Sequence, residues 1–173
     1  EDEINAMAEE IRPGLEKARS AGEKIAAVNR VLFESRNFKF DETANSYAMR
    51  KRFASGRIET ANYESFERVL RDRRGICVSF SLLYIMLAEK LGLPVYPVFM
   101  PGHVFVRYEG RDGRVNIETT AEGQSAADSY YLKKYGVDGQ SGVFGKTLSR
   151  RQALGAFLGN IGVNLQLQGR PKD

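Results

Sequence analysis

At 173 residues, with 42% hydrophobic and 28% charged side chains, the sequence has the size and balance of a single domain with a sizeable core. One cysteine excludes an intrachain disulfide and a cysteine-rich metal centre, and no apolar run approaches the roughly 18 residues of a membrane span. The net charge of +4 gathers at Arg50-Lys51-Arg52 and at Arg68, Arg71, Arg73 and Arg74. Without interleaved aromatics these read as a solvated helix face, so no nucleic-acid partner is expected. The chain opens at Glu1 with no charged leader and apolar core, which is read as a trimmed N-terminus. The compartment stays open between cytoplasmic and exported.

Ile4, Met7, Ala8 and Ile11 predict a first helix that stops near Pro13. Leu15, Ala18, Ile25, Val28, Leu32 and Phe33 predict a second, with Gly22 as a weak point. Residues 36–61 show aromatics without a clean period and read as a long irregular segment beside a site. Asn62 is suited to cap a short helix carrying Tyr63, Phe66, Val69 and Leu70. Residues 77–91 are apolar nearly all round, the mark of a buried helix. Gly92 and Pro94 end it.

The period then changes to that of strands. Val95 to Phe99 is β-rich, with Pro97 marking an edge or bulge. His103 to Tyr108 alternates, Gly110-Arg111-Asp112-Gly113 is a turn, and Val115 to Thr120 is the returning strand. Residues 125–135 read as a short helix, 136–147 as a Gly-rich loop, and Ser149 to Leu167 as a C-terminal helix.

The only cysteine, Cys77, follows the Gly75 turn at the start of the buried helix. The first turn of a helix carries unpaired N–H groups and partial positive charge, which favour a thiolate. The Cys77 backbone N–H is also placed to hold an oxyanion. The only histidine, His103, opens the next-but-one element and is the candidate base. If the turn pairs Glu109 with Arg114, His103 and Glu118 become diagonal neighbours on one sheet face. The carboxylate can then orient the imidazole. A one-residue slip would separate them. Taken singly, each has a bland reading: a core thiol, a strand-end histidine and a solvated acid.

Four segments carry a family resemblance: Asn62-Tyr63 through Val69-Leu70, Arg73 through Ser79, Leu91 through Val95, and Pro101 through Arg107. Across about residues 60–120 the sequence resembles the transglutaminase-like superfamily, which shares its core with papain-like cysteine peptidases. It looks most like a bacterial branch in which some members append tetratricopeptide repeats. The tail from Leu158 to Arg170 resembles the first helix of such a repeat.

The resemblance implies an α+β fold: a helical N-terminal region, a buried Cys-bearing helix on an antiparallel β-sheet, and a C-terminal helix. Residues 1–173 would form one domain, with 149–173 as a C-terminal helix that could open a repeat region. It implies Cys77 as nucleophile, His103 as base and Glu118 as orienting acid, with no cofactor and no metal. Glu118 departs from the superfamily's more usual Asp, and the chain has no Trp. The expected function is thiol acyl transfer on amide bonds of a peptide or protein, by a cysteine peptidase or amidase or a transglutaminase. The alternative is a non-catalytic peptide- or protein-binding domain on the same fold, with protein partners reached through C-terminal repeats.

Overall fold

The computed structural model of the protein describes residues 1–43, 66–140 and 142–167. Helix α1 (Asp2–Lys17) buries Ile4, Met7, Ala8 and Ile11. The expected stop at Pro13 is absent, and α1 runs four residues past it. Pro13 removes one backbone donor, but the orphaned carbonyl belongs to exposed Glu9, where water can serve it. Gly14 lies tight against α2, where an added Cβ would meet the Ala27 Cβ at 2.9 Å. Leu15 therefore closes the first helix instead of opening the second. Helix α2 (Ala21–Asn29) starts at Ser20, whose Oγ accepts from the Glu23 N–H. It continues into a π-helical stretch, Arg30–Ser35, that buries Val31, Leu32 and Phe33.

Strand β1 (Lys39–Phe40) pairs in parallel with β2 (Arg74–Gly75). Strand β1 falls inside the segment 36–61 read as irregular, and β2 lies beyond it, just before the buried helix. Helix α3 (Phe66–Asp72) buries Val69 between them in sequence. Asn62, Tyr63, Arg50-Lys51-Arg52 and the rest of residues 44–65 lie outside the described residues. The other basic positions are solvated as expected: Arg68 and Arg71 both pair with Asp72, and Arg73 donates to the Arg36 carbonyl.

Helix α4 (Cys77–Lys90) is the buried centre. Ser79 Oγ accepts from the Ile76 N–H at 3.0 Å and fixes its start. Gly92, at φ 68°, turns the chain off its end. The Leu93 N–H reaches back to the Ala88 carbonyl at 2.8 Å, closing a Schellman motif.

Strands β3 (Val95–Met100), β4 (His103–Gly110) and β5 (Gly113–Ile117) form an antiparallel sheet with β4 in the middle. Glu109 pairs with Arg114, the register read from the turn. One sheet face, with Val95, Val106, Tyr108 and Ile117, packs with α4 and the N-terminal helices in the main core. Phe105 and Val98, on the other face, pack on Tyr131 of α5 (Asp128–Tyr135). Pro97 sits on an edge strand, and its carbonyl accepts from the Leu148 N–H at 3.1 Å.

Helix α6 (Arg150–Leu167) begins at Ser149. The Ser149 N–H donates to Gln152 Oε1 at 2.9 Å, and Ser149 Oγ accepts from the Gln152 N–H at 3.3 Å, a reciprocal cap. Phe157 meets Phe99 edge-on at 5.6 Å and ties α6 to β3. Among the described residues no helix is long and apolar enough to cross a membrane.

Gly75 is required by a close approach. A Cβ there would meet Phe80 Cε1 and Ser79 Oγ, both at 2.7 Å. Gly75→Ala is expected to cost about 1–3 kcal/mol, a typical overpacking penalty. Urea unfolding checks this: the midpoint should fall with the slope unchanged. A shift below about 0.5 kcal/mol would mean that the α4 start can move aside.

Candidate active site

The site is assembled at the start of α4, the start of β4 and the end of β5. Cys77 is the first residue of α4 and is 7% exposed. His103 is the first residue of β4. The sequence pattern continues β5 to Thr120, but the strand ends at Ile117. Glu118 caps a 3₁₀ turn, Thr119–Ala121, with its own side chain, so Thr120 does not pair opposite His103. This departure still leaves Glu118 diagonal to His103 in the register described above. His103 Nε2 and Glu118 Oε2 are 2.8 Å apart, with both side chains largely buried. The other carboxylate oxygen, Oε1, accepts from the Thr120 hydroxyl at 2.7 Å and the Thr120 N–H at 3.2 Å. Both oxygens are thus held, and Nδ1 is the ring nitrogen left for Cys77.

Electrostatics follow from this grip. Burial pulls the His103 pKa down, but the neighbouring Cys77 sulfur and the Glu118 carboxylate outweigh it and raise the imidazole to about 9. Burial pushes Glu118 up, yet His103 and then the Thr120 donors hold it below the usual carboxylate range.

Sequence reasoning missed several supporting residues. Tyr135 stacks on the His103 ring at 5.5 Å and 7°. A π-face there favours the charged imidazolium. Tyr131 stacks on Phe105 at 4.0 Å. Ser81 Oγ lies 3.4 Å from both the Val104 carbonyl and Thr119 Oγ1, joining α4, β4 and the 3₁₀ turn. Behind Glu118, the Tyr84 hydroxyl donates to Asn29 Oδ1 at 3.0 Å, and Asn29 Nδ2 donates to the Gly123 carbonyl at 3.2 Å. The turn is closed by the Gly123 N–H donating to the Glu118 carbonyl. These contacts have no local signature in the sequence.

A cavity of about 230 Å³ opens beside the pair. Its walls include His103, Glu118, Gln124, Ser125, Tyr131 and Lys134.

A buried helix that begins with a thiol, set on an antiparallel sheet that holds an imidazole–carboxylate pair, makes this an α+β fold. Residues 1–131 match the transglutaminase-like superfamily, and the chain belongs to it. A UPF0162 protein of Pasteurella multocida is 34% identical over 93 residues, covering 54% of this chain and 34% of that protein. The human F-box only protein 21 is 45% identical over 47 residues, covering 27% of this chain and 8% of its own length. The crystal structure of a TGase superposes on 99% of this chain and 49% of its own, with a TM-score of 0.55 at 15% identity, a likeness of fold. The chain thus spans about a third or less of the curated relatives it matches.

The pair makes stability depend on pH in a defined direction. His103 is raised above its ordinary 6.5, so its contribution is complete below about 6.5 and is lost as pH rises through about 9. Glu118 is lowered, so its contribution is present above about 4.5 and is lost as pH falls. The melting-temperature gap between wild type and His103→Gln should therefore be widest near pH 5–6.5 and shrink toward about pH 9.5. A gap that stays constant across that range would mean His103 does not titrate in the native state as described.

Proposed function

We propose that this protein is a thiol acyl-transfer enzyme acting on amide bonds of a peptide or protein. The observation that carries this reading is the contact of His103 Nε2 with Glu118 at 2.8 Å, on a ring that the neighbouring Cys77 sulfur also helps to keep charged. His103 takes up and keeps the Cys77 thiol proton on Nδ1, and the sulfur then attacks the amide carbonyl carbon. The backbone N–H of Cys77, in the unpaired first turn of α4, donates to the developing oxyanion. The imidazolium then gives its proton to the leaving amine, and the C–N bond breaks to leave a thioester. Water resolves the thioester in a peptidase or amidase, and an amine resolves it in a transglutaminase. Glu118 keeps the Nε2–H in place and offsets the positive ring. The catalytic roles of Cys77, His103 and Glu118 are those the superfamily resemblance implies.

The second reading is a non-catalytic peptide-binding domain, favoured by the 7% exposure of Cys77. Alkylation separates the two. Iodoacetamide should modify Cys77 faster than it modifies a free thiol at the same near-neutral pH, and His103→Ala should remove that advantage. A thiol inert in both proteins sinks the enzyme reading. On a substrate, Cys77→Ala should abolish turnover with the fold intact. His103→Ala should cost about 10²–10⁴-fold. Glu118→Gln should cost about 10–100-fold, since its amide oxygen can still accept from Nε2–H.

The proposal that α6 opens a tetratricopeptide-like region is supported by Leu154 and Leu158, one turn apart and both more than half exposed. The repeat-like Gly169-Arg170 lies outside the described residues.

A further inference from the structure

The cavity beside the imidazole–carboxylate pair has a chemistry that the proposed reaction does not use. Tyr131 lines it, and the Tyr131 hydroxyl is buried with no hydrogen-bond partner among the described residues. Glu118 is near enough to act on this phenol, after burial itself, and to help keep it protonated, but the two do not meet in hydrogen-bond geometry. A buried, protonated hydroxyl with nothing to donate to is destabilising, and an acceptor arriving in the cavity would relieve that.

Lys134 stands at the same cavity. Its Nζ lies over the rings of Tyr130 and Tyr135, at 5.5 Å and 5.4 Å, and no carboxylate among the described residues pairs with it. Gln124 and Ser125 complete the polar wall. The charge of Glu118 is already engaged by His103, so the cavity keeps one uncompensated positive charge. About 230 Å³ is smaller than a typical small-molecule site and suits a single amino-acid side chain or chain terminus.

We infer that this cavity is an acidic subsite, in which Lys134 and the Tyr131 hydroxyl bind a carboxylate of the peptide substrate next to the bond that Cys77 would attack. The inference deepens the proposed function and rests on it for the identity of the peptide as substrate. The carboxylate comes either from an Asp or Glu side chain or from a chain terminus, and the ligand chemistry is the same.

The test is a binding titration followed by the NMR shifts of the His103 and Tyr131 rings, which needs no turnover. Three short N-acetylated peptides are compared: one with a central Glu and amidated end, its Gln counterpart, and one with neutral side chains and a free C-terminal carboxylate. At least one carboxylate peptide should bind about tenfold or more tightly than the Gln peptide, and which one does names the source. Lys134→Gln should erase that preference, and Lys134→Glu should reverse it. Lys134 is exposed, so both variants should retain the fold. Tyr131→Phe, which keeps the stack on Phe105, should weaken carboxylate binding about tenfold, as expected for loss of a hydrogen bond to a charged group. Equal binding of the Glu, Gln and free-terminus peptides, or a preference that survives Lys134→Gln, overturns the subsite. An inert Cys77 combined with Lys134-dependent carboxylate binding would instead overturn the enzyme reading and leave the subsite standing.

Discussion

The register of the β4–β5 hairpin is the constraint on which the site depends. Side chains alternate across a sheet, so a slip of one residue would carry His103 or Glu118 to the opposite face. The turn alone does not hold the register. Arg107 and Asn116 are directly paired and both buried, and Arg107 Nε donates to Asn116 Oδ1 at 2.6 Å. Arg107 also reaches Asp128 at 2.7 Å and Thr147 at 2.9 Å, and Asn116 donates to Asp128 at 2.7 Å. A buried guanidinium is costly unless its donors are met, and they are met in this register. The same network draws α5 onto the sheet, which brings Tyr131 and Tyr135 to the site.

The second determinant is the depth of α4. Phe80, Leu83, Tyr84 and Leu87 are almost fully buried, each contributing on the order of 1.5–3 kcal/mol. Such a helix cannot rotate without exposing one of these side chains. Its first residue is therefore fixed relative to the sheet, and the close contact of Gly75 with Phe80 fixes the strand that leads into it. A thiol at that position is immobilised by packing several turns away.

Much of this was legible in the sequence, for identifiable reasons. The apolar run from Cys77 has no polar face, so a buried helix was the consistent reading. Gly110-Arg111-Asp112-Gly113 sets a two-residue loop, and that sufficed to bring His103 and Glu118 together. Pro13 misled because a proline stops a helix only when the lost hydrogen bond cannot be served from elsewhere. The β1–β2 ladder was invisible because two residues carry no period. The end of β5 was misplaced because Glu118 prefers to cap its own turn, a choice that the alternation of Val115, Ile117 and Thr119 does not reveal. The Tyr135 stack and the Asn29 relay are long-range contacts, and no spacing rule reports them.

The stacked arrangement of Tyr135 on His103 has a consequence for entropy. A histidine at a strand end would ordinarily sample several ring orientations, and a flip about the Cβ–Cγ bond would put a ring carbon where each nitrogen had been. Here the flat face is covered by a phenol and one edge is tethered to a carboxylate whose second oxygen is itself tethered to Thr120. The ring has nowhere to turn. In the proposed reaction, a proton passing from Cys77 to Nδ1 would require no heavy atom of the ring to rotate. The cost of that order was met when the chain folded, not when a ligand arrives.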